Sequence, residues 1–451
     1  MVYVIIQLVH EVVIILLLWF LLSKDGRRYF RSLRNRIQWY WHLGKAQLSR
    51  HWRPKTPKDC PHCCAGLKLD VVRINRNVTP WPEIKGKGGA RKQFDTNGFA
   101  CLNPLCAYFG IIDPWVHALV KNTDRGKDKD IPELKCQCCQ KRFSSRKGTP
   151  LYHLKKKSRD VELVLWFMAE GVDISVMVRY TGFTDSTIAR WLNRAGEHSS
   201  RLHDILFRHL VIPLVQLDEL HARVRRSDRS RWLWIAIDPI SKALPSIHVG
   251  GRKAEDSYAI LHDFTQRLAP DCIPAFTTDG LRAYFSSITA HFGHWVEKQR
   301  ARKLHWKPHD DLLHGQLVKR RHNRKMVYTL TRMRWGKRSD LYLLLELHGF
   351  ARNIQTAFIE RVNLTIRQGV SLLTRKTWSL PQSDQQLLLH VQWWRAYYHF
   401  VREHQSLRQP LPGYKRKYTP TTPAMALGVT DRVWTVGDLL SKPLPPLQAA
   451  A

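Results

Sequence analysis

Acidic residues are scarce in this chain of 451 residues. Asp and Glu number 37 against 73 Lys and Arg, which gives a formal charge of +36 and an isoelectric point near 10.2. So lopsided a balance argues against a merely solubilising surface, which needs far less net charge. It points to a polyanionic partner, because a compact fold with this excess otherwise repels itself. Cysteine is sparse as well, and its nine residues fall mostly in close pairs, which argues against a disulfide scaffold. The apolar run at residues 1–22 has no basic stretch before it and no small-residue cleavage site after it, so it does not read as a secretory signal.

That run leaves three readings open. It is long enough for a membrane anchor, and Lys24, Arg27, Arg28, Arg31, Arg34 and Arg36 behind it would keep the remainder cytoplasmic. It also suits an amphipathic or partner-binding helix, or a start codon assigned too far upstream. His10 and Glu11 near mid-span weigh against the anchor. Residues 24–99 follow as a basic linker.

The cysteine pairs are Cys60/Cys63, Cys101/Cys106 and Cys136/Cys139, with Cys64 and Cys138 beside them and Cys272 alone. A gap of two to four residues lets a tight turn aim both thiolates at one ion, and two such turns complete a tetrahedral zinc site. Cys101, Cys106, Cys136 and Cys139 are the expected ligands of a structural Zn²⁺ in a ribbon over 100–156. Cys60 and Cys63 are candidates for a second zinc, with His51, His62 or His117 as partners.

Residues 157–200 read as a helix-turn-helix. Asp160 is the expected cap of a first helix striped by Val161, Leu165 and Met168. A second helix near Ile174 to Tyr180 stops at Thr181-Gly182-Phe183, and a third begins at Thr184 or Asp185. The third carries Ser186, Thr187, Arg190, Asn193 and Arg194, the expected DNA contacts of a recognition helix.

From 211 the pattern turns to strands. VIPLVQLD, RWLWIAID and ALPSIHVG suggest an antiparallel meander, followed by a helix from about Ala254 to Arg267, the strand CIPAFTTD and a helix from about Leu281. This order is that of an α/β, RNase H-like domain, a mixed sheet with flanking helices, placed at 208–408. There the first and fourth strands are neighbours, which puts Asp218 beside Asp279, each read as ending a strand. Glu360 lies in a helical pattern with Ile359, Val362, Ile366 and Val370 toward the core, and it shares a face with Asn363 and Arg367. Three such carboxylates suit two Mg²⁺ or Mn²⁺ ions acting on a phosphodiester. Asp238 is the main competing strand-end acid, Glu219 is expected to point away, and Glu346 is a weaker rival to Glu360. Residues 296–350 read as an insertion. Within it, 297–338 holds fourteen Lys and Arg against three acids, with Trp306, Tyr328 and Trp335 interspersed, and suits DNA. Leu387, Val391, Trp394 and Tyr398 stripe a closing helix, and the Pro-rich, basic tail 409–451 reads as an extended arm.

These stretches resemble the DDE transposases of bacterial insertion sequences that carry a zinc ribbon and a helix-turn-helix. LDELHARV with RWLWIAIDPISKAL, TTDGLRAY, FIERVNLTIRQGVSLLTRKTWS and RAYYHFVREHQSLR carry the likeness, over roughly residues 100–430. The resemblance implies that Asp218, Asp279 and Glu360 bind the metals and that Arg367 sits near the transferred phosphate. It further implies a homo-oligomer acting on double-stranded DNA, both terminal inverted repeats and target, in the cytoplasm at the nucleoid. The alternative is a non-catalytic, domesticated DNA-binding protein or regulator. The chain departs from the pattern at its apolar N-terminus, at Cys60/Cys63, and in the long basic stretch between Asp279 and Glu360.

Overall fold

The computed structural model describes residues 78–85, 95–126, 130–225, 230–297, 304–322, 325–411, 413 and 417–446. All fall in one unit, Leu69–Ala451. Residues 1–22 and Cys60, Cys63, His51 and His62 lie outside the described residues.

A short helix α1 (Trp81–Lys85) precedes a three-stranded antiparallel sheet of β1 (Leu119–Arg125), β2 (Ile131–Cys136) and β3 (Arg142–Ser144). Its small core is Cys101, Tyr108, Ile111, Leu119, Leu134 and Phe143, with Trp81 packed edge-on against Tyr108.

Three helices follow. The first, α2 (Ser158–Ala169), starts after Lys157, so Asp160 lies inside the first turn and is not the expected cap. The helix α3 (Ile174–Thr181) is capped by Asp173, which accepts from Ser175 N, and it ends at Gly182 in the left-handed conformation. Thr184 then caps α4 (Asp185–Leu206). The short α3 and the turn after it follow the sequence reading closely, because caps and a positive-φ glycine are local signals. The length of α4 does not. Its second half buries Ala195, Gly196, Ser199, Leu202 and His203.

The main sheet has β4 (Leu214–Ala222), β5 (Arg231–Ile237) and β6 (Ser246–Gly250) as an antiparallel meander. Next come α5 (Ala254–Thr265), β7 (Ala275–Thr278) and α6 (Arg282–His291). β7 lies parallel to β4, with Leu217 opposite Thr278. A separate hairpin, β8 (Gly293–Glu297) with β9 (Leu304–Pro308), precedes β10 (His314–His322) and β11 (Lys325–Trp335). β10 pairs parallel with β7, so the sheet runs β11-β10-β7-β4-β5-β6. The expected insertion therefore contains two strands of the main sheet. Helices α7 (Arg338–Leu347), α8 (Ala357–Gly369) and α9 (Asp384–Phe400) complete the layers.

The two faces of the sheet feed different cores. Val215, Leu217, Trp234 and Ala236 meet α5 and α6, while Leu220, Leu233, Ile235 and Ile237 meet α8 and one side of α9. Every residue from Leu389 to Phe400 is buried, so α9 packs on all sides. One of its neighbours is α4, and at Gly196 the approach is backbone to backbone, since a Cβ there would lie 2.3 Å from the Leu389 carbonyl. A hydrogen-bond chain stitches the same joint. Leu244 N donates to His399 Nε2 (2.8 Å), so His399 Nδ1 carries its proton to His203 Nε2 (2.8 Å), and His203 Nδ1 donates to Ser199 O (2.8 Å). Burial holds both imidazoles well below their ordinary pKa, in keeping with these neutral tautomers. The helices expected as a separate DNA-binding domain thus share one core with the sheet.

The tail differs from the expected extended arm. It forms α10 (Pro423–Ala426) and α11 (Val436–Ser441), and Ala424, Trp434, Leu439, Leu440 and Leu444 join the main core. Trp434 stacks on Phe400 at 4.5 Å. Among the described residues no helix is long and apolar enough to cross a membrane.

Gly196→Ala is expected to destabilise the protein by about 2 kcal/mol, the usual scale for overpacking. A lower urea midpoint, followed by tryptophan fluorescence, would show it. An unchanged midpoint would mean that the α4–α9 contact is looser than this.

Candidate functional site

The register of β4 and β7 builds the acidic centre. With Leu217 opposite Thr278, the next residues on each chain are Asp218 and Asp279. Asp218 sits within β4 and not at its end, whereas Asp279 is the first residue beyond β7. One carboxylate oxygen from each of Asp218, Glu219 and Asp279 lies within 4.8 Å of the others. Glu219 was expected to point away. It does start on the opposite face of β4, but β7 stops at Thr278, and the strand's early end leaves room for Glu219 to reach Asp279. It is already engaged there, accepting from Arg252 Nε (2.9 Å) and from Tyr284 Oη (3.0 Å). Arg252 in turn lies 4.6 Å over the Trp232 ring.

Helix α8 is docked on the other face by a residue that sequence reasoning passed over. The buried amide of Gln216 accepts from Ile359 N (3.0 Å) and donates to Gln355 O (2.9 Å). It thereby satisfies one orphan donor of the helix start. Only its place two residues before Asp218, on the same face of the strand, hints at that role. The docking brings Asn363 Nδ2 to Asp218 Oδ2 at 2.8 Å. Asn363 Oδ1 is buried without a hydrogen-bond partner among the described residues. An orphaned oxygen beside clustered carboxylates suits a hard cation, which takes oxygen donors only.

Glu360, one turn earlier on α8, is outside the cluster. Its Oε1 accepts from Thr356 Oγ1 (2.7 Å) and from Lys319 Nζ of β10. Its charge still reaches Asp218. Burial first, then Glu219, Asp279 and Glu360, push the Asp218 carboxyl up to about 7. Arg367 donates to Leu373 O (2.9 Å) and His221 O (3.3 Å), and burial lowers its pKa. The rivals fall elsewhere. Asp238 is buried and closes a turn through Ile240 N, Ser241 N and Ser241 Oγ. It follows Ile237, which pairs with Gln216, so it lies toward the other end of β4. Glu346 pairs with Arg352.

The thiol centre is compact. Cys101, Cys106, Cys136 and Cys139 bring their sulfurs within 4.8 Å of one another, with Cys101–Cys139 at 3.7 Å and Cys106–Cys136 at 3.8 Å. Four sulfurs about 2.3 Å from a central Zn²⁺ stand about 3.8 Å apart, so the donor set fits that ion. The Cys101 thiol, with backbone N–H groups of Cys139 and Cys138, pulls Cys136 down to about 5, while burial pushes Cys106 up to about 12. His117 takes part in the ribbon's own bonding, accepting from Leu119 N and contacting Thr96 O. Cys138 is exposed, and Cys272 is a core thiol bonded to Ile212 O.

On α4, Ser186 and Arg190 are exposed at the tip. Thr187 is held by the capping Thr184 hydroxyl, Asn193 is half-buried, and Arg194 donates to Tyr152 O, with its pKa lowered by burial. Of the five expected contacts, Arg194 is therefore committed within the fold.

Two tests follow from this geometry. Without Mg²⁺ or Mn²⁺, native Asp218 keeps its proton to about pH 7, whereas the unfolded chain releases it near 3.8. The native state binds more protons over that window, so stability falls as pH rises through it and levels off above. Asp218→Asn should remove the fall and exceed the wild type above pH 7 by a few kcal/mol, read from thermal unfolding across pH. Mn²⁺ should raise the melting temperature of the wild type and not of the variant. Separately, Co²⁺ should give the intense thiolate absorption of a four-sulfur site, and Cys136→Ser should weaken it.

No protein-family model matches the chain, and no curated protein matches it.

Proposed function

We propose that this protein is a DNA transposase of the DDE type, with an RNase H-like catalytic domain, a zinc ribbon and a helix-turn-helix. The observation that carries the reading is the parallel pairing of β4 and β7. It sets Asp218 beside Asp279 at the sheet's centre, with α8 bringing Asn363 to Asp218 and keeping Glu360 one turn away, outside the cluster. The sheet order, with its first three strands antiparallel and the fourth and fifth parallel to the first, supports the same fold.

Asp218 and Asp279, joined by Glu360, would hold Mg²⁺ or Mn²⁺. Such a pair of ions activates the attacking oxygen and stabilises the leaving oxygen of a phosphodiester. The protein's own work is placement. Gln216 fixes α8 against β4, Asn363 orients the Asp218 carboxylate, and the Arg252–Tyr284 pair anchors Glu219. Arg367, bonded to two carbonyls, serves first to shape the end of α8 and stands within reach of a phosphate only if it exchanges those partners. Cys101, Cys106, Cys136 and Cys139 would hold a structural zinc. Ser186 and Arg190 lead the helix offered to the major groove of double-stranded DNA, and the charge of +36 supplies the attraction. The expected homo-oligomer and the cytoplasmic, nucleoid setting belong to this reading.

A second reading is a DNA-binding protein without cleavage. The engagement of Glu360 with Lys319, outside the acidic cluster, is the observation that favours it.

The deciding experiment mixes purified protein with DNA carrying the gene's own flanking ends and Mg²⁺ or Mn²⁺. Metal-dependent nicking at the ends is expected, and Asp279→Asn should cut it by about a hundredfold or more, the scale for losing one electrostatic stabiliser. Binding to the ends with no cleavage by either protein would select the second reading.

A further inference from the structure

We propose that Lys319 is a positioning residue for Glu360. It holds the Glu360 carboxylate off the acidic cluster in the ion-free protein, releases it when a divalent ion binds, and then turns to a DNA phosphate. The inference rests on the metal-dependent reading above.

Lys319 belongs to β10, three residues beyond Gln316, which pairs with Thr278 next to Asp279. The strand therefore carries its ammonium past the end of β7, beside the cluster. Its Nζ bonds Glu360 Oε1, and the same oxygen accepts from Thr356 Oγ1 within α8. Both side chains remain accessible, at 32% for Lys319 and 49% for Glu360. The contact is not what docks the helix. Gln216 and the buried stripe Ile359, Val362 and Ile366 do that, and Asn363 adds a bond to Asp218. An ion pair this exposed is weak and yields to a stronger competitor. A divalent cation beside Asp218 and Asp279 offers Glu360 twice the charge of Lys319. The displaced ammonium then remains exposed beyond the end of β7, where a phosphate is the natural partner for a compact point charge.

The test uses the full-length protein, zinc-loaded and free of other divalent ions, titrated with MnCl₂ by electron paramagnetic resonance. Lys319→Met should bind Mn²⁺ about three- to tenfold more tightly, through loss of a weak competing pair and a nearby positive charge. Lys319→Arg should stay near the wild type. In a Glu360→Gln background the gain from Lys319→Met should shrink to the part that removing a nearby positive charge gives by itself. DNA supplies a second readout. With Mn²⁺ present, Lys319→Met should lower the slope of log affinity against log salt by about one, and without Mn²⁺ it should leave the slope unchanged. Unchanged or weaker Mn²⁺ binding by Lys319→Met, with binding still lost in Asp218→Asn, would overturn the role of Lys319 and leave the metal site standing. A wild type that binds no Mn²⁺ would remove both.

Discussion

Everything in the acidic centre depends on one parallel strand pair. β7 has four residues, all buried, and it is held between β4 and β10. A slip of one residue in its pairing with β4 would turn each side chain of β7 to the opposite face and take Asp279 away from Asp218. The slip is blocked because Phe276 must meet the core under α5 and α6 while Ala275 packs with Leu341, Leu345 and Ile354. Hydrophobic burial far from any chemistry thus sets the separation of two carboxylates.

The electrostatics of the site run against the protein as a whole. A chain with twice as many basic as acidic residues gathers several of its few acids around the two middle strands of its main sheet. Cationic groups on the neighbouring elements have different tasks. Arg252 is clamped to Glu219 and a tryptophan face, Arg367 is spent on carbonyls, and Lys319 holds Glu360. Burial first, and then the partly compensated negative charge around it, push the Asp218 carboxyl up.

The parts of this architecture that were legible in the sequence are those set by local chemistry. Gly182 and Thr184 mark the helix-turn-helix turn because a left-handed cap and an N-cap are recognisable residue by residue, and the cysteine spacings mark a knuckle. The strands around Asp218 and Asp279 show as apolar runs because both faces are covered. The fifth strand, β10, does not show, since the basic VKRRH at its far end masks the apolar signal of its buried start. The folded tail was missed for a related reason: Trp434, Leu439 and Leu440 are isolated apolar residues whose partners lie on distant helices. Glu219, Gln216 and the Lys319–Glu360 pair are tertiary facts. Each depends on which strand ends where, and neither periodicity nor spacing encodes that.

The joint between α4 and α9 has a mechanical consequence. A helix of 22 residues is about 33 Å long, and here its far half is locked by Gly196 and the His203–His399 chain into the core that also carries the sheet. Its exposed tip and the carboxylates are thus two points on one stiff lever and not the ends of a tether. Thermal motion cannot vary their separation much. On the proposed reading, with a duplex gripped at the tip and acted on at the carboxylates, such a lever would be a ruler, and the distance from the gripped sequence to the altered bond would be counted in fixed base pairs.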